Sequence, residues 1–204
     1  MATGDTDIKV CSDALLMLGA SPISSFTEGT DEANICDRLY PDIKIKTLAS
    51  YSWSFSFKKT QCARLITTPT NEYKYEYQMP SDMIGLPRAV YDTETTYAVP
   101  RRAYTIQGRK ILTNYEKIYV DYQYAVTENE MPHYFVQLLK YQMVWHLALP
   151  ITEQLEKSDY WRQVTQGMPS ENGRGGYMRT AMSIDGQGKP INAIQEFPLI
   201  DVRY

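Results

Sequence analysis

Residues 51–59 read YSWSFSFKK. A serine follows each of Tyr51, Trp53 and Phe55, and Phe57 completes the alternation. Aromatic side chains at every second position are the spacing of a strand with one apolar face. The segment just before it, Asp31 to Ser50, has the spacing of a helix instead. The stretch is therefore where helix gives way to sheet. Its aromatics could be a platform for a ligand or a brace packed against both layers. Truncating a buried Trp or Phe at such a crossing costs about 3–5 kcal/mol, enough to misplace one layer relative to the other. Trp53, Phe55 and Phe57 are accordingly read as an internal brace.

Upstream of the crossing, residues 7–18, DIKVCSDALLML, place Ile8, Cys11, Leu15 and Leu18 on one helical face. Gly19 sits where a C-terminal cap belongs, with Pro22 just beyond. Thr30 suits the N-cap of a second helix, and Asp31 and Glu32 in its first turn favour the helix dipole. Cys36, Leu39, Tyr40, Ile43 and Thr47 carry its apolar face to about Ser50. Pro41 lies inside and predicts a kink or break near Asp37 to Tyr40.

Downstream, Tyr73, Tyr75 and Tyr77 alternate with Lys74 and Glu76. AYTIQGRKILT (103–113) divides into two short runs about Gly108, and KIYVDYQYAV (117–126) is a further strand. Residues 55–127 thus read as an antiparallel unit of about four to six strands. Helix returns at Met131, where Pro132 suits a first turn. Phe135, Leu138, Leu139, Gln142, Trp145, His146 and Leu149 fall on one side. Pro150 is expected to end or kink this helix, and Thr152 to cap the next, TEQLEKSDYWRQVTQ (152–166).

The expected fold class is α+β. A four-helix body, with two N-terminal and two C-terminal helices (1–52 and 130–166), is interrupted by an antiparallel β unit (53–129). Residues 167–204 are expected as a flexible, extended C-terminal docking tail, because glycines at 167, 173, 175, 176, 186 and 188 leave few large apolar groups to pack. The tail closes with EFPLIDVRY (196–204), whose Phe197, Leu199, Ile200, Val202 and Tyr204 are candidate partner-docking residues.

Composition narrows the function classes. The 204 residues carry a formal net charge of -3, so there is no overall basic footprint for tight, sequence-specific nucleic-acid binding. Seventeen tyrosines against five phenylalanines suit surfaces buried against a partner, and equally the half-exposed face of a sheet. Cys11, Cys36 and Cys62 form no C-x-x-C pair, which argues against a disulfide framework or a zinc site; they read as small buried hydrophobes. No run of about 18 apolar residues exists, and MATGDTDIKV lacks the pattern of a signal peptide, so no membrane span and a cytoplasmic origin are expected.

Catalysis needs convergent polar groups, and few are offered. His146, on the apolar side of its helix, reads as a satisfied, partly buried imidazole rather than a general base; His133 is the other histidine. Ser50, Ser52, Ser54 and Ser56 occupy no G-x-S-x-G elbow. The carboxylate pairs Glu72 with Glu76 and Glu116 with Asp121 could serve glycosidic cleavage, but with 24 acidic residues such pairs arise by chance. GQGKP (186–190) lacks the spacing of a phosphate loop and reads as a turn. The basic pairs Lys58–Lys59 and Arg101–Arg102 are better suited to solvating strand ends or meeting acidic partner surfaces than to reading DNA. No catalytic, cofactor-binding or metal-ligating residue is expected, and the chain is not read as an enzyme.

Residues 15–56, LLMLGASPISSFTEGTDEANICDRLYPDIKIKTLASYSWSFS, closely resemble the N-terminal block of phage head-to-tail adaptor proteins of the tail tubular protein A type. The pattern falls on Leu18, Gly19, Ile23, Ser25, Phe26, Glu28, Glu32, Ala33, Tyr40, Trp53 and Phe55. A looser match follows at Tyr75, Tyr77, Pro80 and Asp82, and the resemblance covers roughly residues 5–166. It implies a structural virion protein, assembled in the bacterial host cytoplasm, that forms a typically dodecameric ring between the portal and the tail nozzle or next neck protein. DNA would cross the lumen without being read. The family pattern is structural and brings no active site with it. The alternative class is a tail-associated enzyme that degrades polysaccharide.

Overall fold

The computed structural model describes residues 6–67, 69–95 and 98–188. The first helix, α1 (Asp7–Leu18), begins where the Thr6 hydroxyl accepts the Lys9 amide and stops at Gly19, whose φ of 80° only glycine adopts without strain. Val10, Cys11, Ala14, Leu15 and Leu18 are its buried face. The second, α2 (Asp31–Ala49), begins at Thr30, whose hydroxyl accepts from the Ala33 amide at 3.3 Å. The loop between them is organised by Glu28, whose carboxylate accepts from the Ser24 amide and hydroxyl and from the Thr30 hydroxyl.

Of the kink or break expected at Pro41, the break does not occur: α2 continues as one helix through it. Pro41 and Asp37, the residue whose carbonyl loses its helical partner, both lie on the exposed side, where water can take up that bond.

The chain returns to helix in α3 (His133–Thr152), followed by α4 (Leu155–Gln166) and α5 (Gly176–Gln187). The one-sided stripe expected for α3 is too narrow. Val136, Met143, Val144, Leu147 and Ala148 are buried as well, because α1, α2, α4 and α5 all pack against this one helix. Leu149, expected on the inner side, is exposed. Pro150 does not end α3, which runs on to Thr152 and closes at Glu153 with φ 55°. Thr152 does not cap α4 either: its hydroxyl turns back to the Ala148 carbonyl, and Gln154 takes the cap position.

The clearest correction concerns residues 167–188, expected as the start of a flexible tail. They fold into a tight turn and α5, which buries Met178, Ala181 and Asp185. The glycines close the turn rather than loosen it. Gly176 has φ 51°, and a Cβ there would stand 2.5 Å from the Val164 carbonyl oxygen.

Between α2 and α3 the described residues form seven short strands: β1 (Phe57–Gln61), β2 (Ala63–Arg64), β3 (Tyr75–Gln78), β4 (Ala89–Tyr91), β5 (Tyr104–Gln107), β6 (Lys110–Thr113) and β7 (Tyr119–Gln123). They form two antiparallel sheets, ordered β1-β7-β4 and β2-β3-β6-β5. β1 and β2 flank Cys62, so a single stretch of chain enters both sheets. Gly108 turns β5 into β6 with φ 60°. Tyr77, Met83, Val90, Ile111, Ile118 and Val120 belong to the core between the sheets, and Tyr124 packs against both this core and the helical one.

Candidate functional site

The crossing at residues 51–57 is not a strand. Ser54–Ser56 make one tight helical turn, and β1 starts only at Phe57. That turn breaks the period-two reading and sorts the aromatics into two places. Trp53 is fully buried; its ring centroid lies 4.9 Å from Tyr51 and 5.1 Å from Phe135, both edge-on. Phe55 joins the same cluster, 5.0 Å from Phe135 and 6.3 Å from Tyr134. Phe57, the third expected brace residue, is not part of it. It lies on the open face of sheet β1-β7-β4 with the Arg88 guanidinium 4.9 Å from its ring.

Hydrogen bonds fix the cluster. The Trp53 indole donates to the Thr47 carbonyl at 3.1 Å, which ties it to the last turn of α2. The Gln123 amide, at the end of β7, reaches the carbonyls of Leu48 and Tyr51. Asp185 on α5, 2% exposed, accepts from the Ser54 amide at 3.0 Å, the Ser54 hydroxyl at 2.7 Å and the Tyr134 hydroxyl at 2.8 Å. Sequence reasoning missed Asp185. The available signal was the stripe Met178, Ala181, Asp185 at helical spacing, hidden by the surrounding glycines.

A second polar join links α2 to the turn ahead of α3. The Tyr40 hydroxyl and Lys44 ammonium both reach Glu128 Oε1 at 2.7 Å. Burial pushes the Glu128 carboxyl up, but Lys44 and Tyr40 outweigh it and hold it below its ordinary range. In the β unit, Asp82 accepts from the Lys58 ammonium and, at 3.0 Å, from the Tyr122 hydroxyl, and its carboxyl is likewise held low, first by Lys58.

A concave surface lies where the open face of sheet β1-β7-β4 meets strand β5 of the other sheet. Arg88, Tyr91, Arg101, Arg102, Tyr104 and Asp121 line a cleft of about 960 Å³. A neighbouring cleft of about 390 Å³ shares Tyr91 and Asp121 and adds Phe57 and Lys59. Lys59 stands 4.3 Å from the Tyr91 ring centroid and donates to the carbonyls of Thr93, Glu94 and Thr95. Arg101 pairs with Asp92 at 2.9 Å, whereas Arg88 and Arg102 have no ion-pair partner among the described residues. Lys58 pairs with Asp82, whereas Lys59 reaches the 93–95 carbonyls, and Arg101 and Arg102 line one cleft together.

The other candidates are dispersed. His146 is half-buried; its Nδ1 faces the Gln142 carbonyl at 2.8 Å and so carries the proton, leaving Nε2 toward Lys46. Glu76 pairs with Lys110 at 2.9 Å, which holds its carboxyl below the ordinary range, the wrong direction for a general acid. Glu72 is exposed in the preceding loop, Glu116 lies in the turn before β7, and Asp121 sits mid-strand. Ser54 serves Asp185, and Ser56 donates to the Trp53 carbonyl. Cys11, Cys36 and Cys62 are buried free thiols. Gly186 and Gln187 are the last residues of α5 and Gly188 caps it, whereas Lys189 and Pro190 of the GQGKP string lie outside the described residues. So do Phe197, Leu199, Ile200, Val202 and Tyr204. Among the described residues, no three His, Cys, Asp or Glu side chains are grouped to hold a metal, and no helix is long and apolar enough to cross a membrane.

Set against known proteins, the chain matches no family model, and no curated protein matches it.

Proposed function

We propose that this chain is a structural virion protein: a ring-forming head-to-tail adaptor that joins a phage portal to the tail and contributes to the DNA channel. The observation that carries the reading is the resemblance of residues 15–56, together with what its residues do. Leu18 and Ile23 are buried, Gly19 is the left-handed cap, Glu28 organises the loop, and Trp53 is the centre of the aromatic cluster. Each holds the framework together and none converges with others on a reacting centre, which suits a protein that acts by assembling.

In this reading the copies stand side by side, typically twelve to a ring, with the portal on one side and the tail nozzle or next neck protein on the other. DNA crosses the lumen unread, and a net charge of -3 suits a channel that must not hold phosphates. Phe197, Leu199, Ile200, Val202 and Tyr204 dock on the portal, and the protein works in the virion after assembly in the bacterial cytoplasm. It catalyses nothing.

Electron microscopy of the full chain mixed with the portal encoded beside it tests the proposal. The expected image is a ring of copies on one end of the portal. A chain that stays unbound and single in that mixture would remove the adaptor reading. Deleting residues 190–204 should leave a folded protein that no longer attaches. Release of sugar from host envelope glycans by the purified chain would instead support the polysaccharide-degrading class.

A further inference from the structure

Two surfaces of this chain complement each other, one in the β unit and one on the helical body. The first is the cleft where sheet β1-β7-β4 meets strand β5, whose lining carries Arg88, Arg102 and the Asp92-paired Arg101 against the single lining carboxylate of Asp121, together with Tyr91 and Tyr104. Arginine and tyrosine are the residues that dominate binding energy where proteins meet, since each brings a large flat contact with a polar end. A guanidinium fork recognises a carboxylate through two parallel hydrogen bonds. The second is the corner between α3 and α4. There Leu149, Leu155 and Tyr160 are 45%, 65% and 62% exposed, and Glu153 and Glu156 are exposed with no ion-pair partner among the described residues. Glu153 closes α3 in the left-handed conformation.

We propose that the α3–α4 corner of one copy docks in the sheet cleft of the next, with Glu153 and Glu156 meeting Arg88 and Arg102, and with Leu155 and Tyr160 against Tyr91 and Tyr104. This names the contact between copies in the ring reading and rests on that reading. The occupant is a second copy because the charge it must bring, carboxylates beside exposed apolar groups, is what this chain itself displays at the corner. Cleft and corner are different surfaces, so the contact is heterologous and copies add head to tail, which closes into a ring or continues as a filament. The carboxylate of Asp121 in the cleft lining favours a protein carrying both apolar and charged groups over a uniformly anionic polymer.

Sedimentation of the full chain over a concentration series in low salt reads the contact. The wild type should form species larger than a dimer. Arg102→Glu and Glu156→Arg should each weaken association by about tenfold or more, and the two together in one chain should restore it. Both positions are exposed, so the variants keep the fold, which circular dichroism checks. A mixture of Arg102→Cys and Glu156→Cys chains should yield a disulfide-linked pair that neither variant gives alone. Association that persists unchanged through both charge reversals would overturn this contact and leave the ring reading standing. No association up to about 1 mM, either alone or with the portal present, would overturn the contact and the ring reading on which it rests. Binding of a single-stranded oligonucleotide, lost in Arg102→Glu, without self-association would reassign the cleft to nucleic acid and likewise overturn the proposal.

Discussion

The Ser54 hydroxyl donates to Asp185 at 2.7 Å across 131 residues of sequence. This bond and the Ser54 amide beside it join the last described helix to the turn at which helix becomes sheet. The brace therefore has three parts: the end of α2 through Thr47, the start of α3 through Tyr134 and Phe135, and α5 through Asp185.

Replacing Asp185 should show how much of the brace depends on α5. Asp185→Ala leaves the Ser54 amide and the Tyr134 hydroxyl without their acceptor and should cost about 3 kcal/mol. Asp185→Asn, which keeps the shape and one acceptor oxygen, should cost less. Urea unfolding measures the difference, and limited proteolysis should cut first between residues 167 and 188 in the alanine variant. Equal stability of wild type and Asp185→Ala would show that α5 is held by its apolar face alone.

The aromatics at the crossing should separate by place. Trp53→Ala should lower stability by about 3–5 kcal/mol and flatten the near-ultraviolet dichroism. Phe55→Ala should also be costly. Phe57→Ala, on an open sheet face, should cost about 1 kcal/mol or less. If Phe57→Ala proved as damaging as Trp53→Ala in thermal melts, the division between buried cluster and open face would be wrong.

His146 gives the fold a predictable acid limb. Burial lowers its pKa and Lys46 adds to the effect, while the bond to the Gln142 carbonyl opposes them. The folded value thus lies below the ordinary 6.5, and the unfolded chain takes up the proton first. This contribution is complete above pH 6.5 and is lost as pH falls from there through the folded value. The slope from this one group is at most about 1.4 kcal/mol per pH unit. Denaturant titrations at pH 7.5 and 5.5 should show a loss in the wild type that His146→Gln reduces. The same loss in both proteins would assign the acid limb elsewhere.

Gly176→Ala should destabilise by about 1–3 kcal/mol, since alanine must adopt φ 51° with its methyl against the Val164 carbonyl. Gly186→Ala in the same helix meets nothing within 4 Å and should be neutral or mildly stabilising. Melting temperatures of the two variants check the contrast. Similar shifts would mean that the α4–α5 turn relaxes around a side chain at little cost.

What residues 7–50 become was legible because caps and stripes are local. Gly19 and Thr30 act on amides and carbonyls a few positions away, and the apolar spacing needs only the helix to which it belongs. The strand through Tyr75 and Tyr77, though not Tyr73, and the turn at Gly108 were readable for the same reason. By itself the sequence thus determined the α+β class and the order of helices and sheet unit as far as α4, but not α5. The tertiary structure decided what depends on partners distant in the chain. It set Trp53 and Phe55 apart from Phe57, wrapped α3 on most of its circumference, and gave the glycines after Gln166 a close-packed turn. It also placed a buried carboxylate where Ser54 and Tyr134 converge. A local pattern records a residue's own geometry, whereas burial and hydrogen bonding are properties of pairs, and the second member of each pair is chosen only when the chain has folded.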